Sequence, residues 1–133
     1  MDYRVQQAII FMKGNLHRKL TEKQFARKAG LTAQHFSLLF KAATGQPPMR
    51  YLNCLRMEKA REFLESAELS HLSIKQISAC VGCRDVSHFV RDFEKRFGLS
   101  PKRYRANGTD TAVTWEMPSL SATKISPEYS DKS

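Results

Sequence analysis

Apolar residues over the first hundred positions recur at helical spacing, and no stretch alternates as a half-buried strand would. Val5, Ile9, Met12 and Leu16 step by four, three and four, which predicts a first helix with one buried stripe. Thr21-Glu22-Lys23-Gln24 has the form of a capping box: the threonine hydroxyl accepts the Gln24 amide while the glutamine side chain reaches back. It opens a short helix, which Gly30 ends by supplying the left-handed conformation. Thr32 is placed to cap the next helix, with Phe36, Leu39, Phe40 and Ala43 inward and Gly45 as its stop. Pro47-Pro48 starts a long helix, because proline is tolerated in a first turn. Tyr51, Leu52, Leu55, Ala60, Phe63 and Leu64 supply its buried side, and it runs to about residues 65–67.

Ser73-Ile74-Lys75-Gln76 is a second capping box, opening a short helix that ends at Gly82. Asp85 is placed to cap the helix carrying Phe89, Phe93 and Phe97, which Gly98 closes, and Ser100-Pro101 begins a last turn through Tyr104. The expected fold is all-α, with about seven helices and no sheet.

These elements are a duplication. Leu20–Ala26 returns 52 positions later as Leu72–Ser78, and Gly30 returns as Gly82. After a one-residue insertion near Arg84 the offset becomes 53: His35-Phe36 recurs as His88-Phe89, Phe40 as Phe93, Gly45 as Gly98 and Arg50-Tyr51 as Arg103-Tyr104. Two short helices around a turn glycine, repeated once, form two helix-turn-helix units at about 21–44 and 73–97, joined by a linker helix at about 48–66. Residues 106–133 lose the periodicity and are expected to form a flexible tail. Trp115 is the exception within it, expected to fold back onto the body.

Charge says what such a body would bind. Residues 1–105 hold 20 Lys and Arg against nine Asp and Glu, whereas residues 106–133 hold two against four. Positive charge concentrated on the folded part points to a polyanion. A basic membrane-surface helix would have to leave its apolar stripe exposed, and here the stripes are needed for a core. No apolar run approaches the roughly 20 residues of a membrane span, and no export signal is expected at the N-terminus. Three cysteines in a helical chain fit a reducing cytoplasm better than a disulfide framework. A cytoplasmic, nucleoid-associated protein that binds double-stranded DNA is the reading.

The second helix of each unit is the one that enters a major groove. With Phe36, Leu39 and Phe40 inward, its outer face in the first unit carries Gln34, Leu38 and Lys41, with Ser37 at the border. In the second unit Ser87, Arg91 and Glu94 point outward, with Val86 and Val90 beside them. The base-contact candidates are therefore Gln34, Ser37, Leu38, Val86, Ser87 and Arg91. Gln34 can pair with adenine, Arg91 with guanine O6 and N7, and Leu38 and Val86 can meet a thymine methyl. Lys23, Thr32, His35, Lys41, Lys75, His88, Lys95 and Arg103 are the phosphate candidates. His35 and His88 lie in different units without ligand-spaced partners, so no metal and no cofactor are expected.

Two reading helices on one face of a duplex must sit about one turn apart, near 34 Å. Eighteen linker residues from Pro48 to Glu65 span about 27 Å at 1.5 Å each. Adding the width of the units makes the separation reachable, so one chain is expected to bind as a monomer. A linker that cannot hold that separation would require the duplex to bend.

The stretches Leu20–Lys41, Tyr51–Leu64 and Ser73–Arg105 resemble the DNA-binding domain of AraC/XylS-type transcription regulators. The most specific matches are SIKQISACVG, SHFVRDF and FGLSPKRYR, and the resemblance covers about residues 3–105. It implies seven helices in two helix-turn-helix subdomains joined by a long helix, with transcription activated by recruiting RNA polymerase. Three positions depart from the family pattern: Leu38 stands where Arg is common, Cys83 where an aromatic is usual, and Asp92 where a small apolar residue is usual. A partly inward Asp92 needs a cationic partner, expected to be Arg or Lys.

Rival readings use other features. Cys80-Val81-Gly82-Cys83 is a C-x-x-C, which would suit a thiol-redox or metal-responsive protein. It straddles a helix end and lacks a second ligand pair, so Cys80 is expected as a partly exposed last-turn residue and Cys83 as a small core residue. A protein-docking adaptor would use the same fold without needing its basic face or Arg91. Nothing supplies a nucleophile-base pair or paired catalytic carboxylates, so an enzyme is not expected.

Overall fold

Both capping boxes close in the computed structural model, which describes residues 1–111 and the side chains of residues 1–107. Thr21 Oγ1 accepts the Gln24 amide at 3.3 Å, and Gln24 Oε1 accepts the Thr21 amide at 2.8 Å. Ser73 and Gln76 exchange the same pair of bonds at 3.0 and 2.8 Å. The boxes start α2 (Glu22–Ala29) and α5 (Ile74–Cys80). Around them lie α1 (Tyr3–Gly14), α3 (Ala33–Thr44), α4 (Pro48–Glu65), a 3₁₀ turn (Ala67–Leu69), α6 (Val86–Phe97) and α7 (Pro101–Thr111). No strand occurs among the described residues. Helix α7 continues past Arg105 into the span expected as tail; the remainder of that span, with Trp115, lies outside the described residues.

The chain divides into two units, Met1–Leu55 and the part from Arg56 onward. In the first, Val5, Ala8 and Met12 of α1 pack with Leu16, Leu20, Phe25, Ala26, Phe36, Phe40 and Leu52. In the second, Met57, Ala60 and Leu64 of α4 pack with Ile77, Val81, Phe89, Phe93 and Phe97. Val5, Ala8 and Met12 stand 52 positions before Met57, Ala60 and Leu64, so the duplication begins well ahead of Leu20. Helix α4 therefore serves both units. Its first turns close the first core through Tyr51 and Leu52, and its later turns open the second.

The duplication extends to hydrogen bonds and ring geometry. At the turn after α2, the Leu31 amide donates to Ala26 O at 2.9 Å; after α5, the Cys83 amide donates to Ser78 O at 2.8 Å. These six-residue closures require the left-handed residue that Gly30 (φ 75°) and Gly82 (φ 89°) provide. The rings of Phe40 and Tyr51 meet edge-on at 5.3 Å and 79°, and those of Phe93 and Tyr104 at 5.6 Å and 77°. Edge-to-face contact of this kind adds about 0.5–1.5 kcal/mol beyond area burial.

Some sequence expectations need correction. The buried positions of α1 are Val5, Ala8 and Met12, whereas Ile9 is half-buried; Leu16 is buried as expected but lies beyond the helix end. Met57, absent from the expected stripe of α4, is buried. Ala43, expected inward, is exposed. Its place in the second unit is taken by Arg96, long enough to reach Glu58; a methyl group is too short to cover the same ground.

Candidate nucleic-acid interface

Each unit presents its second helix, α3 or α6, on a rigid apolar base. Phe36 and Phe40 are fully buried, as is Phe93, and Phe89 nearly so, which fixes the rotation of both helices. The ring pair Phe36–Phe40 (5.7 Å, 47°) is reproduced by Phe89–Phe93 (5.9 Å, 49°), so equivalent outer positions are presented alike. Gln34, Leu38 and Lys41 lie at i, i+4 and i+7 on α3, all exposed, with Ser37 half-buried beside them. Ser87, Arg91 and Glu94 occupy the corresponding places on α6, also exposed. Val86 is half-buried at the N-terminus of α6, and Val90, expected beside the outward set, is half-buried and packs against the second core.

Leu38 is 63% exposed, an unusual position for a leucine in the middle of a helix. Its counterpart Arg91 makes the outer faces chemically different: an apolar surface on one head and a planar five-donor cation on the other. The third position differs in sign, Lys41 against Glu94. Glu94 carries no ion pair among the described residues and was not among the sequence candidates. What marks it is its register with Lys41.

The N-terminal ends of both helices are firmly capped. Thr32 Oγ1 accepts the His35 amide at 3.1 Å, and Asp85 Oδ1 accepts the amides of Ser87 and His88 at 3.0 and 3.2 Å. Thr32 is exposed and its hydroxyl proton stays free for donation while the oxygen caps. Among the other phosphate candidates Lys23, His35, Lys41, Lys75, Lys95 and Arg103 are exposed; Lys23 and Lys75 stand at the second position of α2 and α5. His88 is exposed too, but its Nδ1 lies 3.5 Å from Asp92 Oδ2. An Arg or Lys was expected beside Asp92; a side chain found within reach is this histidine. Asp92 is half-buried, so its charge is only partly desolvated.

A polar clamp in the second unit fixes α6 and α7 and escaped the sequence reading. Arg96 Nη2 of α6 donates to Glu58 Oε2 at 2.8 Å, and Arg61 Nη2 donates to Glu58 Oε1 at 2.8 Å. Arg61 also reaches Glu65 at 3.1 Å, and the Tyr104 hydroxyl donates to the same Glu65 carboxylate. Burial, helped by Glu65, pushes the Tyr104 phenol up to about 12. Arg105 donates to the Leu72 carbonyl at 2.6 Å, tying α7 to the loop before α5. Glu58 and Arg96 are 38 residues apart, too far for any local pattern to pair them.

The cysteine pair divides as expected in exposure. Cys80 is exposed, and Cys83 is half-buried against the second core with its thiol pushed up to about 11 by burial. Among the described residues, no three His, Cys, Asp or Glu side chains gather as a metal ion would require. No described helix is long and apolar enough to cross a membrane.

Comparison with known proteins agrees with this architecture. A family model described as a helix-turn-helix domain matches residues 25–107. The transcriptional activator NphR of a Rhodococcus species is 39% identical over 103 residues, covering 77% of this chain and 29% of that protein. A Chromobacterium violaceum transcriptional regulator with an AraC-type DNA-binding domain superposes with TM-score 0.72 at 26% identity, over 80% of this chain and 93% of that one. The DNA-binding domain of AdpA, a global transcriptional factor solved in complex with a target DNA, shares the fold at TM-score 0.74 and 22% identity. It covers 82% of this chain and 97% of that one. The chain spans about a third of the length of the curated relatives it matches. The matched relatives and structures are transcription regulators and not enzymes, and the chain belongs to the AraC-type family of helix-turn-helix DNA-binding transcription regulators.

Proposed function

We propose that this chain reads a bipartite site on double-stranded DNA, with α3 and α6 entering successive major grooves, and activates transcription. The observation that carries the reading is the pairing of duplicated scaffolds with unlike outer faces. Each head has the buried aromatic base, the turn glycine and the capped reading helix that groove entry needs, and each offers different groups to the bases. Arg91 is the guanine reader and Gln34 an adenine reader; Ser37 and Ser87 bond at the edges, and Leu38 and Val86 meet thymine methyls. Lys23, Thr32, His35, Lys41, Lys75, His88, Lys95 and Arg103 bond phosphates, with Asp92 limiting how freely His88 turns to its phosphate. The two heads share one chain, so a monomer suffices. Activation is supported by the activator named among the relatives, and recruitment of RNA polymerase is the route this reading assigns to it.

Selection of bound sites from random DNA tests this directly. The expected result is two motifs about one helical turn apart. Arg91→Ala is expected to erase preference at one base pair of one motif, at a cost of about 1–3 kcal/mol, and Gln34→Ala at one base pair of the other. A single motif, or uniform weakening on every sequence by Arg91→Ala, would overturn the two-headed reading. Salt supplies a second measure: ~6–10 phosphate contacts imply a loss of roughly 10³–10⁵ in affinity between 50 and 200 mM.

A further inference from the structure

The first unit has an open cleft between α1 and α2 that no part of the DNA-reading surface uses. It holds about 360 Å³ and is lined by Tyr3, Arg4, Gln7, Ala8, Phe11, Phe25, Lys28 and Ala29. Its floor is apolar: Ala8 and Phe25 are buried, and the Phe11 and Phe25 rings meet edge-on at 6.3 Å and 77°. The rim is cationic. Arg4 is already neutralised by Asp2 at 3.1 Å, but Lys28 has no carboxylate partner among the described residues. Its ammonium sits over the face of Phe11, 4.5 Å from the ring centroid.

The duplication explains why the cleft is there. Ala29 corresponds to Val81 in the second unit, 52 positions on, where the valine is fully buried. Ala29 is only half-buried, and two methyl groups fewer leave the α1–α2 seam open. Lys28 corresponds to Cys80, so the second unit also lacks the cation at this place.

We propose that this cleft is a binding site for a small aromatic carboxylate, its ring against Phe11 and its carboxylate on the Lys28 ammonium. The volume lies at the lower end of the range for small-molecule sites, which suits one ring better than a nucleotide. An aromatic floor beside a single uncompensated cation selects against both a bare anion and a neutral ring.

Amide chemical shifts of the full chain, titrated separately with benzoate, benzamide and inorganic phosphate, test the proposal. Benzoate is expected to give saturable shifts at Phe11, Phe25, Lys28 and Ala29, with benzamide and phosphate each about tenfold weaker or more. Ala29→Val fills the cleft with the side chain its own duplicate carries, so the fold is expected to survive while benzoate binding disappears. Lys28→Gln, a surface change, is expected to weaken benzoate about tenfold and leave benzamide unaffected. Phosphate binding as tightly as benzoate would overturn the proposal, as would benzoate binding that survives Ala29→Val. So would an absence of saturation below about 10 mM.

Discussion

Replacing Glu58 by glutamine isolates the charge that holds α6. The carboxylate accepts from Arg96 on α6 and from Arg61 on its own helix, both at 2.8 Å. The two bonds are unequal. Arg96 is 15% exposed at its side chain, so losing its counter-charge leaves a largely desolvated cation, a loss of about 1.5–3 kcal/mol for a charge-assisted bond. Arg61 is about one third exposed and only three residues away, a pairing worth about 0.5 kcal/mol. Glu58 itself is 36% exposed, which screens both, and the expected net loss is about 2 kcal/mol. In urea unfolding followed by circular dichroism near neutral pH, that is a lower midpoint with an unchanged slope.

The same variant has a pH signature. Burial pushes the Glu58 carboxyl up, but hydrogen bonds from Arg61 and Arg96 outweigh it and leave it below the ordinary glutamate value of 4.5. A depressed carboxylate stabilises the fold fully above its unfolded value and loses that contribution as pH falls through its folded value. The gap between the native protein and Glu58→Gln is therefore expected to close progressively as pH falls below the ordinary glutamate value of 4.5 and through the lowered folded-state value. A loss under about 0.5 kcal/mol at neutral pH, or a gap that persists in acid, would refute the reasoning.

Other substitutions probe the remaining parts. Glu94→Lys makes the second head match Lys41 of the first; affinity for random-sequence DNA is expected to rise, and the slope of log K against log salt to steepen by roughly 0.9 per phosphate gained. An unchanged slope would place Glu94 away from the backbone. Thr21→Ala and Ser73→Ala are each expected to cost about 1 kcal/mol in thermal or urea unfolding, because each removes one side of a formed capping box. Cys83, with its thiol at about 11 against the ordinary 9.0, holds roughly a hundredfold less thiolate at neutral pH than an unperturbed thiol. Alkylation is expected to label Cys80 well before Cys83, and equal rates would contradict the burial argument.

Much of the architecture was legible along the chain because its signals are local. A capping box acts within four residues, a turn glycine at one, and an aromatic base repeats at one helical turn. These features placed the seven α-helices of the described residues and the exposed faces of α3 and α6, and the resemblance of the duplicated motifs pointed to the family. Ala43 and Val90 obey the helical period, but what lies opposite each is supplied by distant chain; Leu16 is buried as its spacing implies, although α1 ends at Gly14 before it.

Tertiary structure decided the rest. Only the packed cores reveal that α4 ends one copy of the repeat and begins the next, because Met57, Ala60 and Leu64 declare their equivalence to Val5, Ala8 and Met12 through burial. The Glu58–Arg96 clamp and the contact of His88 with Asp92 depend on side-chain direction and, for the clamp, on groups 38 residues apart. The α1–α2 cleft depends on volume: Ala29 and Val81 are both ordinary apolar residues in the sequence, and only packing shows that one leaves space the other fills. Local hydrogen bonding and periodicity are written along the chain, whereas volume, long-range charge pairing and the sharing of a helix between cores exist only once it has folded.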